Sequence, residues 1–204
     1  MKYIIKIIIF ALCISGALFL TLPISFFPSF YDVRYMGFAT LFGAGVIYFV
    51  PRLLRVNNHN PNASTKNQAV QMLQGLLVFI ITLNALGDLG LYQLYRIGFE
   101  FDKVIHFLIP FSCVLILPIF FKRRFEIRPF YAIAIAFFLS LFLGIGWEVF
   151  EYLSDSLLKT HIYGVYGSDI RRDTIRDLVF GIIGSSVAGL ISLFLPHWKK
   201  KFLK

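Results

Sequence analysis

Residues 102–124 read DKVIHFLIPFSCVLILPIFFKRR: an acid, a lysine and a histidine at one end, three consecutive cations at the other, and an oily stretch between them. The apolar part, Val104–Phe121, is long enough as an α-helix at about 1.5 Å per residue to cross a hydrocarbon layer of roughly 30 Å. A segment of this kind belongs in lipid, with its two ends in different surroundings.

The rest of the chain repeats the pattern. Hydrophobic residues make up 58% of the 204, charged residues only 15%, and mean hydropathy is +0.75, which excludes an ordinary soluble domain. Apolar runs of spanning length occur at about Tyr3–Leu22, Tyr35–Val50, Ala69–Tyr95, Val104–Phe121, Phe130–Leu153 and Thr174–Leu195. The expected fold is therefore all-α: one polytopic membrane domain over residues 1–204 with about six transmembrane helices. The short second run can be extended through the interface by Phe26–Tyr31, because Tyr favours that depth.

Orientation follows from the basic residues, which are retained on the cytoplasmic side. With the N-terminus inside, thirteen of the 20 Lys and Arg lie inside and seven outside, whereas Glu126 is the sole inner acid of 11. The inner side then carries +12 and the outer side −3, which together give the net +9. Both termini are expected in the cytoplasm. The basic pI thus reports topology and attraction to anionic lipid headgroups, and membrane lipids rather than nucleic acid are the expected partners.

Several short features carry no chemistry. Lys2 and Lys6 before an apolar run imitate a secretory signal, but hydrophobicity continues through Leu22, and the segment is read as a retained span. Cys13 and Cys113 fall in different spans and suggest packing rather than a disulfide framework. Asn62-Ala63-Ser64 matches a glycosylation acceptor but lies in the expected inner loop. The tail His197-Trp198-Lys199-Lys200-Lys201 has the character of an interfacial anchor.

Polar residues inside the spans are costly and tend to mark function. Asn84 and Asp88 are four apart on one face of the third span, and Tyr92 continues the stripe. Asp102 and His106 open the fourth span at the same spacing. Glu148 and Glu151 close the fifth, where Ser140 and Gly144 share the face of Glu148 and invite close helix packing. Asp173 and Asp177 open the sixth, followed by the small residues Gly181, Gly184, Ser185, Ala188 and Gly189. The third and fifth spans run outward and the fourth and sixth inward, so all these polar groups are expected to meet beneath the outer leaflet. The loop Ser154–Arg172, with Tyr163-Gly164 and Tyr166-Gly167, is a candidate lid.

Asp102, His106, Glu148, Glu151, Asp173 and Asp177 are the candidate catalytic residues. They are also the candidate metal ligands, since oxygen-rich sites with one imidazole suit Mg²⁺, Mn²⁺ or Ca²⁺ and leave Zn²⁺ or Fe²⁺ open. Asn84, Asp88, Arg171, Arg172 and Arg176 are candidates for substrate binding. Three roles compete: a metal-dependent enzyme acting on a lipid-linked or phosphate-bearing substrate, an ion- or proton-coupled carrier, and a non-catalytic protein whose polar cluster sets helix packing. In the third, Lys103, Arg171, Arg172 and Arg176 neutralise the acids without a metal. Against the carrier, no acid reaches the inner half of any span.

The ordered set Asn84-x-x-Gly87, Phe101-Asp102-Lys103-x-x-His106-Phe107, Trp147-Glu148-x-x-Glu151 and Asp173-Thr174-x-x-Asp177-Leu178 resembles the pattern of YjdF-like bacterial inner-membrane proteins over about the last 120 residues. More loosely, it is similar to VanZ-like membrane proteins, a group named for glycopeptide resistance. Glu151 stands where that second pattern has Gln, so resistance is not carried over. The resemblance implies a multi-pass protein of the bacterial inner membrane and assigns no substrate.

Overall fold

The computed structural model describes residues 2–27, 32–56, 62–158 and 170–194. Its elements are α1 (Lys2–Thr21), α2 (Val33–Leu53), α3 (Ala63–Asp88), α4 (Phe101–Phe125), α5 (Pro129–Leu158) and α6 (Ile170–Phe194), with short 3-10 segments at Ile24–Phe26 and Leu91–Ile97. All six α-helices contain a stretch long and apolar enough to span a membrane. The expected turns Tyr163-Gly164 and Tyr166-Gly167, the tail His197–Lys201 and most of the proposed interfacial extension up to Tyr31 lie outside the described residues.

Large apolar side chains face outward along the bundle, among them Phe10, Phe42, Phe138 and Phe142, each two-thirds exposed or more. In water such a surface would aggregate, but in lipid it is the ordinary exterior. Inside, Leu76, Cys113, Leu117 and Ala136 join α3, α4 and α5, while Ile5, Leu12, Ala44 and Ile47 join α1 to α2. Cys13 and Cys113 are free thiols.

Helix ends follow local chemistry. Asp32 caps α2 by accepting from the Tyr35 amide at 3.1 Å. Arg34 donates to the Phe19 carbonyl at 2.8 Å, satisfying an acceptor near the end of α1. Asp102 and Asp173 lie in the first turns of α4 and α6, and Lys122, Arg123 and Arg124 in the last turn of α4, the favourable arrangement for the helix dipole. The third apolar run, expected to continue to Tyr95, instead leaves α-helical geometry after Asp88. Gly90 takes φ +133, a backbone setting that disfavours any side chain, and the chain re-forms as a 3-10 segment. Asp88 is thereby the last residue of α3.

The most extensive helix pairing is α4 with α6. Gly184 is the reason: a Cβ there would overlap the Phe107 carbonyl oxygen, so only glycine admits this approach. Gly181 faces the His106 carbonyl, and Ser185, fully buried, meets Ser140 of α5 at 3.3 Å between hydroxyls. Ala188, further along α6, is fully buried as well. Gly144 and Gly189 face open space, with nothing within 4 Å of an added Cβ.

Candidate functional site

α3 ends where α4 and α6 begin, α5 passes the same level at Glu148 and Glu151 before ending at Leu158, and the polar residues of the four helices gather there. At the centre is Lys103, only 5% exposed. Its ammonium donates to Asp102 at 3.0 Å, Asp173 at 2.5 Å and Asp177 at 2.8 Å. A buried lysine needs compensation of this kind, since an unpaired ammonium in an apolar interior is prohibitively costly. The sequence placed Lys103 among several counter-charges; the structure makes it the hub.

His106 lies one turn below Asp102 and is flanked by acids on both ring nitrogens. Its Nε2 is 3.5 Å from Asp102 Oδ1 and 3.9 Å from Asp177 Oδ1, while Nδ1 is 3.7 Å from Glu148 Oε1. One donor atom from each of Asp102, His106 and Asp177 lies within 4.8 Å of the other two. Glu148 is 5% exposed, and its Oε1 has no hydrogen-bond partner. Pro110, four residues on, cannot supply the amide that would otherwise close a helical bond to the His106 carbonyl. Gly181 packs against that carbonyl instead.

Glu151, one turn beyond Glu148, interacts with Trp147 and lies in the field of Glu148, Asp102 and Asp177. Arg176 forms a two-pronged pair with Glu100, the residue preceding α4. That partner was not foreseen, and it occupies one of the guanidinium groups expected to bind substrate. Arg171 and Arg172 sit exposed on the first turn of α6. Asn84 donates to the Ile80 carbonyl of its own helix at 2.9 Å, which turns its amide toward the backbone.

Tyr92 joins the site in a way that helix periodicity did not specify, because it lies on the 3-10 segment after α3. Its ring rests on Gly87, where a Cβ would overlap it, and meets Phe101 edge-on at 5.9 Å. Burial, followed by the negative field of Asp88, Asp102 and Glu151, pushes its hydroxyl well above the usual 10. Tyr92 therefore stays a neutral hydroxyl donor facing the carboxylates. It also brings Asp88 into the same neighbourhood as Asp102 and Glu151. Gly87 and Phe101, two residues of the family-like pattern without chemistry of their own, are what hold this ring.

Four carboxylates, Asp102, Glu148, Asp173 and Asp177, thus surround one ammonium and one imidazole. The arrangement can hold a further cation, hold protons, or lock α4 to α6.

A sequence model of the family described as "Predicted membrane protein (DUF2238)" matches residues 10–198, nearly the whole chain and in keeping with the YjdF-like pattern. No curated protein and no solved structure matches.

Proposed function

We propose that this chain, which belongs to the DUF2238 family of predicted membrane proteins, is a bacterial inner-membrane enzyme. In this reading its acid–histidine site faces the extracytoplasmic side, holds a divalent cation on Asp102, His106 and Asp177, and acts on a lipid-linked or phosphate-bearing substrate.

The single observation that carries the reading is the two-sided setting of His106. Nε2 faces Asp102 and Asp177 at 3.5 and 3.9 Å. Donor atoms sharing a cation at about 2.0–2.2 Å lie somewhat over 3 Å apart, so a small inward adjustment suffices. Nδ1 faces the partnerless Oε1 of Glu148, the place where metal-binding histidines meet an orienting carboxylate. Lys103 holds the Oδ2 atoms of both aspartates, which fixes their Oδ1 atoms toward the imidazole. Because Lys103 also lies 2.7 Å from Asp177 Oδ1, it would share that carboxylate with the cation. The surplus of acids over bases favours such sharing.

A divalent cation supplies Lewis acidity toward a phosphoryl oxygen. The remaining work falls to the chain. Asp102 is the most exposed of the four carboxylates, with 38% of its side chain accessible, so a substrate reaches the cation from its side. Glu148 keeps the ring of His106 in place, and Tyr92 offers a neutral O–H to an anionic group. Arg172 and Arg176 are suited to a phosphate, which would compete with Glu100 for Arg176.

A second reading rests on Lys103 itself. Its bonds to Asp102 and to Asp173 and Asp177 join α4 to α6, which is what a purely structural cluster would do. A carrier has less support, since among the described residues the one acid at the opposite end, Glu126, is paired with Lys66 at 3.1 Å.

Metal analysis of detergent-purified protein separates the readings. Wild type should carry about one equivalent, His106→Ala should lose it, and Glu148→Gln should bind about 10–100-fold more weakly. Wild type without stoichiometric metal after incubation with Mg²⁺, Mn²⁺ or Zn²⁺ would eliminate the metalloenzyme and leave the structural role. Orientation is checked separately: a cysteine at position 172 should react with a membrane-impermeant maleimide in intact spheroplasts, and protection there would place the site on the cytoplasmic face.

A further inference from the structure

Outside the polar cluster, a groove of about 420 Å³ runs along the seam of α4 and α6, within the size range of small-molecule sites. Its α4 wall is built from residues 100, 103, 104, 107 and 108, which share one helical face. From Glu100 to Leu108 that face descends about 12 Å at 1.5 Å per residue. The chemistry changes along the way. Phe99, Glu100 and Lys103 stand at the upper end, and Val104, Phe107, Leu108 and Phe180 continue the groove as a wholly apolar lining.

We propose that this groove seats one hydrocarbon chain of a phosphate-headed membrane lipid, with the phosphate held at its upper end by Arg172 and Arg176.

Three observations select this occupant. The groove lies on two membrane-spanning helices, so its apolar wall meets acyl chains rather than water. Arg176 reaches the groove's upper end through its pair with Glu100, and Arg172 is exposed one turn earlier on the same face of α6, so two cations stand where an amphiphile's anionic head would lie. The Glu100–Arg176 pair is exposed on both sides, about 42 and 45%, and such pairs exchange readily for a better anion.

Lys103 makes the groove continuous with the polar site. Its side chain lines the groove while its ammonium is bound by Asp102, Asp173 and Asp177. A lipid seated here would present its phosphate beside the acid–histidine cluster. The proposal deepens the functional reading above and rests on it for the lipid-linked phosphate, while the seating of the chain depends on the groove alone.

The test uses full-length protein in nanodiscs containing equal dioleoyl phosphatidic acid and dioleoyl phosphatidylcholine, followed by gentle release and native mass spectrometry. Wild type should retain phosphatidic acid at least fivefold over phosphatidylcholine. Val104→Trp and Leu108→Trp, which fill the groove, should each reduce retention of phosphatidic acid at least fivefold while leaving metal content unchanged. Arg172→Gln with Arg176→Gln should abolish the preference for the anionic head. Unaltered melting temperature and a monodisperse elution profile show that each variant is folded, and having two groove variants guards against the failure of one.

Equal retention in wild type and both tryptophan variants would overturn the proposal, as would a loss confined to the arginine variant. So would a photo-crosslinker at position 104 that captures a polypeptide, including a second copy of this chain, in place of lipid. Wild type that retains phosphatidic acid in the groove but binds no metal would sink the metalloenzyme reading and leave the lipid site standing.

Discussion

Lys103 Nζ donates to Asp173 Oδ1 at 2.5 Å, joining the first turn of α4 to the first turn of α6 across 70 residues of sequence. The same ammonium serves Asp102 and Asp177, so one side chain neutralises acids on both helices.

Lys103→Met should therefore be among the most damaging single changes. It leaves Asp177 and Asp173, 6 and 14% accessible, without their cation. Breaking a buried pair from one side costs about 3–5 kcal/mol. Thermal unfolding in detergent should show a large loss, and adding Asp173→Asn should recover part of it. A variant melting within a degree or two of wild type would contradict the central role of Lys103.

Asp173 and Asp177 should separate by function. Asp173 touches Lys103 but is not one of the three clustered donors Asp102, His106 and Asp177, whereas Asp177 belongs to both sets. Asp173→Asn should lower stability by about 1–3 kcal/mol, the scale for a lost charged hydrogen bond, and retain metal. Asp177→Asn should lose metal as well. Equal metal content in the two variants would contradict the donor assignment.

Gly184→Ala should push α4 and α6 apart, because its Cβ meets backbone, the Phe107 carbonyl, that cannot rotate away. Overpacking of this kind costs about 1–3 kcal/mol. Gly144→Ala and Gly189→Ala meet nothing within 4 Å and serve as controls, expected within about 0.5 kcal/mol of wild type or slightly stabilising. Thermal melting of the three variants checks the contrast.

Tyr92 gives an alkaline signature. Its folded hydroxyl keeps its proton above the usual 10, at pH values where an unfolded tyrosine has lost it. The unfolded state then binds fewer protons, and stability falls as pH rises past 10. Tyr92→Phe should reduce that decline and remove one late step from the ultraviolet titration of tyrosinate. A titration in which the step attributable to Tyr92 comes at an ordinary pH would remove this residue from the acidic neighbourhood.

Much of the frame was legible in advance. Apolar run lengths identified six helices, and alternating direction brought Asp88, Asp102, His106, Glu148, Asp173 and Asp177 to one end. These are properties of spacing, which a linear chain displays. The hub was less visible because Lys103 is adjacent to Asp102 in sequence, and nothing in that adjacency shows its ammonium reaching across to α6. Tyr92 was found on a helical stripe but for an incomplete reason: the helix stops at Asp88, and it is Gly87 and Phe101 that aim the ring. Glu100 was overlooked because its partner, Arg176, lies 76 residues away.

α1 packs chiefly on α2, and α2 leans on α3, while the charged residues of the site are carried by α3 to α6. The two parts meet where the Gln74 amide of α3 donates to the Ile47 carbonyl of α2 at 3.1 Å and Ile81 packs on Gly43. The outward side of that leading hairpin, where Phe10, Phe38 and Phe42 are exposed, is consequently where mutations can accumulate at small risk to the chemistry, much as a porch can be repainted without disturbing the hearth.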